Sequence, residues 1–461
     1  MRVRIEKDSL GDVEVSDDKY YGAQTQRSLN NFKISHNQIP YPVILAFAIV
    51  KKAAAMTNTD LGVLDSEISS TIVKVCDEIL EGKIGREHFP LLVWQTGSGT
   101  QTNMNVNEVV ANRGIEILKG KMGSKEPIHP NDHVNRSQSS NDTFPTAMHI
   151  ASYLEVKNTL FPSLDSFIKT LKEKEKSFKE IYKIGRTHLM DATPLTLGQE
   201  FSAYTNQIEN AKKGLENSLN FIAELALGGT AVGTGINSPE GYSEKVAACI
   251  AKLTACPFIS ARNKFQALST NDAILQMSSS LKVLATTLMK MANDIRWLAS
   301  GPRCGVGELI IPANEPGSSI MPGKVNPTQC EALTMLCCQV IGNDTAISIA
   351  NSQGNFELNV YKPVMIYNLL HSIELLSDGL NNFNKKCLSG VEANVPQIKK
   401  HLENSLMLAT ALVPHIGYDT TSKLVFKAHS ENKTLKVAAL EMQVISEEDF
   451  DKIVRPEKMV R

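Results

Sequence analysis

Apolar residues in the middle of the chain recur in alternating steps of three and four: Ile274, Met277, Leu281, Leu284, Leu288, Met291, Ile295 and Leu298. Leu197, Phe201, Tyr204, Ile208, Ala211, Leu215, Leu219 and Ile222 form a second such series. A period of this kind, held over several turns, belongs to long helices packed at shallow angles. At 1.5 Å per residue the 274–298 helix alone spans roughly 37 Å. Weaker stripes predict helices over 141–180, 328–350 and 364–382. So many long helices in one region imply a mainly α fold around a central long-helix bundle.

The flanks read differently. Residues 1–138 suggest shorter helices (Val43–Met56, Ile68–Leu80) and loops rich in Gly and Asn, and the stretch after Val395-Pro396 carries short helical pieces and a charged tail. Three domains are expected: a mainly helical N-terminal domain over 1–138, the bundle over 139–395 and a small C-terminal domain over 396–461. No repeat of roughly 20–50 residues is visible.

A chain of 461 residues can bury a large core, and 48 basic against 49 acidic residues leave a net charge of -1. No global field therefore favours nucleic acid or an anionic membrane as partner. The longest apolar run, Val43 to Val50, falls well short of the ~20 residues a bilayer requires. The acid-rich start, MRVRIEKDSLGDVEVSDD, lacks the apolar centre of a signal peptide. A cytoplasmic setting is expected, or a mitochondrial matrix if a leader has been removed. The eight cysteines (Cys76, Cys249, Cys256, Cys304, Cys330, Cys337, Cys338, Cys387) contain no C-x-x-C and read as reduced core residues.

Chemistry concentrates between the predicted helices. Ser300 to Pro327 holds five Gly and five Pro in 28 residues, too long for an ordinary connection in a compact domain. Leu309-Ile310-Ile311 and Ile320-Met321 imply that part of it packs. It carries Ser318, Ser319, Lys324, Asn326 and Glu315, and fits neither a Walker A loop nor a dinucleotide-binding turn. Gln95–Glu108, His129–Thr143 and Gly185–Thr196 are dense in hydroxyls and amides. Each alone reads as caps and turns; together they suit a small substrate bearing carboxylates. Pro130 disfavours a regular helix presenting both His129 and His133 to a metal. His188, in a loop beside Thr187, is the better acid–base candidate.

The run Gly317-Ser318-Ser319-Ile320-Met321-Pro322-Gly323-Lys324-Val325-Asn326-Pro327 closely resembles the signature of the fumarase/aspartase superfamily. Gly323 before Lys324, the following Thr328 to Thr334, and Gly97-Ser98-Gly99-Thr100-Gln101-Thr102-Asn103-Met104-Asn105 are similar to the class II fumarase version. The resemblance extends over the whole chain. It implies a three-domain fumarase/aspartase-like fold and reversible hydration of fumarate to L-malate, with no metal and no cofactor. By the resemblance Ser318 is the base, and His188, supported by Glu331, handles water. Ser98, Gly99, Thr100, Ser139, Ser140, Asn141, Thr187, Ser319, Lys324, Val325 and Asn326 bind the dicarboxylate. His129, Pro130, Asn131 and Asp132 correspond to a second anion site that binds without catalysing.

The predicted helices also imply assembly. Connections in an up-down bundle alternate between its ends, so 129–143 falls opposite 185–196 and 300–327. Helices near 30 residues separate those ends by about 45 Å, so several chains are needed to complete one site. The resemblance independently implies a homotetramer with shared sites. Three rivals remain at this point: an aspartate ammonia-lyase on the same fold, an inactive structural relative such as a lens crystallin, and an iron–sulfur hydratase, which the cysteine spacing opposes.

Overall fold

The computed structural model describes residues 2–460 and is mainly helical. Four long helices dominate it: Leu197–Ile222, Asp272–Leu298, Thr328–Asn351 and Lys362–Lys386. Every member of the two apolar series is at most 7 % exposed, so each stripe is a core-facing seam. The 141–180 stripe becomes a helix over Ser140–Glu155, a π-helical turn over Val156–Leu160 and a helix over Phe161–Ser177.

The chain separates into two compact units. One comprises 1–162, 211–285 and 338–377, the other 163–210, 286–337 and 378–461. In the first, the Tyr41–Asp60 helix packs on Ser66–Leu80 and Ser140–Glu155, burying Val43, Phe47, Val50 and Ala54. An N-terminal hairpin pairs Val3–Asp8 with Gly11–Ser16. In the second, short helices after Val395 close a core around Leu412, Leu424, Ala438 and Ala439.

Two expectations need correction. The 185–196 stretch, anticipated as a loop, belongs to an antiparallel hairpin of Tyr182–Thr187 with Met190–Thr196. Its tip is His188-Leu189, both at positive φ (58° and 62°), a turn that usually calls on Asn or Gly. In the 300–327 loop, Leu309 is buried and Leu309–Ile310 pairs with Glu392–Ala393, but Ile320 and Met321 are exposed in the single chain.

Thr328–Asn351 is long and apolar enough to cross a bilayer by composition. It carries Asp344 buried, however, with Oδ1 accepting from Ser278 Oγ at 2.8 Å and Oδ2 paired with Lys282, an arrangement suited to a protein interior. Its two faces are both apolar. Leu333, Cys337, Val340 and Ile347 point inward, while Met335, Cys338, Gly342 and Ile349 lie exposed on a second stripe. Of the cysteines, Cys76, Cys256, Cys330, Cys337 and Cys387 are buried, and Cys304 and Cys338 are exposed.

Candidate active site

The predicted site residues fall into two groups, one on each compact unit. On the first, two helix starts are tied together. Ser139 caps the Ser140–Glu155 helix in a capping box with Asp142. Gly99 begins the Thr100–Ile117 helix at φ 77°, and a Cβ there would meet Phe144 at 2.1 Å, so only glycine fits. Ser98 Oγ and Thr100 Oγ1 are 2.8 Å apart, and Asn103 Nδ2 donates to Ser140 Oγ at 2.8 Å. Two positive helix ends and four hydroxyls thus share one neighbourhood, which is the physical requirement for a carboxylate. Asn141 Nδ2 donates instead to the Ala231 carbonyl at 2.8 Å. Asp142 accepts from the Gly228 and Thr230 backbone N–H groups, both at 2.9 Å, and burial pushes its carboxyl up to about 6.

Beneath these helix starts lies a group that the sequence reading missed. Lys51 is fully buried, and its Nζ donates to Asn103 Oδ1 (2.7 Å), Gln138 Oε1 (2.9 Å) and Asn135 Oδ1 (3.1 Å). Burial pushes its ammonium down to about 7. One signal was available in the sequence: Lys51 lies four residues after Phe47 on the apolar face of its helix.

The turn expected to form a second anion site is a π-helical turn over Pro130–Val134 capped by His129. His129 Nδ1 accepts from the backbone N–H groups of Asn131 and Asp132, both at 3.2 Å, so those donors are already engaged. Pro130 and Asn131 line a cavity of about 20 Å³ that also contains Glu6, Asp8 and Glu108 beside Lys7 and Lys125.

On the second unit, Thr187 and His188 are exposed at the hairpin tip. The 300–327 loop closes on itself through Gly317 N–H to the Lys324 carbonyl (2.7 Å) and Asn326 Nδ2 to the Gly317 carbonyl (2.5 Å). Inside that ring Ser318 Oγ accepts from the backbone N–H groups of Ile320 (3.2 Å) and Met321 (3.0 Å). Two N–H dipoles aimed at one hydroxyl oxygen stabilise its anion, as in an oxyanion hole. Ser319, Lys324 and Val325 are exposed on the same loop, and Glu331 is exposed in the first turn of Thr328–Asn351. Among the described residues no hydrogen bond or ion pair joins His188 to Glu331, and no three His, Cys, Asp or Glu side chains group as a metal site.

A buried carboxylate anchors the hairpin to the start of the loop. Glu308 is fully buried; Oε1 meets Arg186 Nη2 at 2.8 Å and His401 Nδ1 at 3.0 Å, and Oε2 meets Lys183 Nζ at 3.2 Å. Burial alone would raise its carboxyl, but Arg186, Lys183 and His401 outweigh that and hold it below its ordinary 4.5. Sequence reasoning missed this cluster, because its members come from three distant segments.

Residues 11–342 match a lyase family and residues 408–461 match the fumarase C C-terminus, which makes this a lyase with long central helices. Fumarate hydratase class II of Helicobacter pylori (strain ATCC 700392 / 26695) is 59 % identical over 460 residues, spanning 100 % of this chain and 99 % of that one. The protein of the same name from Thermosynechococcus vestitus is 60 % identical over 457 residues, spanning 99 % and 98 %. The crystal structure of recombinant class II fumarase from Schistosoma mansoni superposes with a TM-score of 0.98 at 46 % identity, covering 99 % of each chain. The chain belongs to the class II fumarate hydratase family.

Proposed function

We propose that this protein adds water reversibly and stereospecifically to fumarate, giving L-malate. The observation that carries the reading is Ser318 Oγ held by two backbone N–H groups within the Gly317–Asn326 ring, in a chain of this family. In the malate-to-fumarate direction Ser318, as alkoxide, takes the C3 proton, and the electron pair delocalises into the adjacent carboxylate. Thr187, Lys324 and Asn326, with Ser98, Thr100, Ser139, Ser140 and Asn141, bind the two carboxylates and stabilise that charge. The C2–O bond then breaks, and His188, supported by Glu331, protonates the departing hydroxide to water. Ser319 and Val325 contact substrate through the loop, Gly99 lets the backbone approach it, and the His129–Asp132 turn is a separate binding site once His129 Nδ1 releases the Asn131 and Asp132 N–H groups.

We further infer a homotetramer with sites shared between chains. Supporting this, the candidate residues fall on two units and His188 has no bond to Glu331 within one chain. The outward stripe of Met335, Cys338, Gly342 and Ile349 also needs a cover, since an apolar helix face left in water is costly.

The test is an ultraviolet assay of malate–fumarate interconversion in the presence of a chelator. Turnover is expected, and Ser318→Ala is expected to reduce kcat by about 10²–10⁴-fold, the usual contribution of a general base. Formation of aspartate from fumarate and ammonia, without malate turnover, would overturn the reading in favour of an ammonia-lyase.

A further inference from the structure

The buried amide network under the carboxylate pocket fixes a proton. In its ammonium form Lys51 Nζ is a donor only, and its three bonds go to Asn103 Oδ1, Asn135 Oδ1 and Gln138 Oε1. An amide whose oxygen is held this way must turn its NH₂ group elsewhere. Asn103 therefore presents Nδ2 to Ser140 Oγ at 2.8 Å and to Asn135 Oδ1 at 3.2 Å. Ser140 Oγ is thereby made an acceptor on its inner side. Among the described residues nothing accepts its own hydroxyl proton, and Ser140 is half-buried at the positive start of its helix.

We propose that Lys51 and Asn103 are positioning residues for the carboxylate site: Lys51 sets the orientation of the Asn103 amide, and Asn103 forces the Ser140 hydroxyl to point its proton at the substrate carboxylate. Neither residue touches substrate. The proposal rests on the reading of Ser140 as a carboxylate donor. Its logic is directional: with the amide reversed, or replaced by an acceptor, Ser140 would donate inward and the substrate would lose one hydrogen bond.

Asn103→Asp tests this directly. The carboxylate keeps the side chain's shape and gives Lys51 a counter-charge that offsets the lost bond to Asn135 Oδ1, so the fold is expected to hold, but it has no N–H and takes the Ser140 proton for itself. The expected loss in kcat/KM for fumarate is about tenfold, the scale of one charge-assisted hydrogen bond. Lys51→Met is expected to act in the same direction by releasing the amide. Ser140→Ala supplies the reference, and Asn103→Asp combined with Ser140→Ala closes a double-mutant cycle.

If Asn103 works through Ser140, the Asp substitution lowers kcat/KM less than about twofold in the Ser140→Ala background. A purely structural role would multiply the two losses, and that result overturns the proposal, as does unchanged kcat/KM in Asn103→Asp. Melting curves and elution volumes accompany each variant. Full activity of Ser140→Ala beside an active wild type would instead remove the assignment of Ser140, and an inactive wild type would remove the fumarate reading itself. The three failures are therefore distinguishable.

Discussion

One added methyl group separates two roles that glycine plays in this chain. A Cβ at Gly317 would lie 2.6 Å from the Lys324 carbonyl oxygen and 2.8 Å from Asn326 N, inside the ring that holds Ser318. A Cβ at Gly97 would lie 1.4 Å from the Val360 carbonyl oxygen, in the packed first unit. Gly317→Ala is expected to reduce kcat/KM by about 10²-fold, as misplaced reacting groups do. Its melting temperature should hold, because the loop is largely exposed. Gly97→Ala should lower the melting temperature sharply, since the Val360 backbone has to move before the helix starts can pack. Parallel kinetics and thermal melts separate the two outcomes. The motif around Ser318 was legible in sequence, because a resemblance to a family signature held over the whole of Gly317 to Pro327 is rare by chance. Lys51 was not: a lysine in an alanine-rich helix gives no sign of the three amide oxygens that meet it from Asn103, Asn135 and Gln138.

Among the elements, the helices were legible and the hairpins were not, for one physical reason. A long helix repeats its burial pattern over many turns, so the Ile274–Leu298 stripe announces itself. The Tyr182–Thr196 hairpin has only short strands and turns through His188-Leu189, without the Asn or Gly that would mark it. Its position depends on Glu308, which joins Lys183 and Arg186 of the first strand to His401. Glu308→Gln leaves Arg186 without its buried carboxylate and Lys183 with only the half-buried Glu200 at 2.8 Å, and a loss of roughly 3 kcal/mol in stability is expected. The pH dependence has a definite sign. A carboxyl depressed below 4.5 in the folded chain contributes its full stability above that pH, and loses it as pH falls through the folded value. Denaturant melts of the two proteins should therefore differ most near neutrality and converge in acid. A constant gap across pH would count against the ion cluster as the cause.

At the scale of the whole molecule, the two groups of site residues sit on different compact units. Sequence periodicity led to a different expectation, that 129–143 lies at the opposite end of the bundle from 185–196 and 300–327, through helix lengths and the alternation of bundle connections. It could not reveal the outward stripe of Thr328–Asn351 as a surface, because an apolar residue in sequence carries no label for which partner it meets. The sharing of sites has a direct test. On the proposed tetramer, Ser318→Ala and His188→Asn proteins, each expected to retain little activity, are dissociated, mixed and reassembled. Recovery of part of the activity is expected, because some mixed sites receive both intact residues from unaltered chains. Confirmed mixed tetramers without recovery would sink the idea of shared sites. The stripe of Met335, Cys338, Gly342 and Ile349 carries a further consequence. On the proposed sharing of sites, a newly synthesised chain is catalytically inert while the outward apolar stripe of its Thr328–Asn351 helix still faces water. Activity would then arise by mass action among copies, and dilution would itself act as an inhibitor.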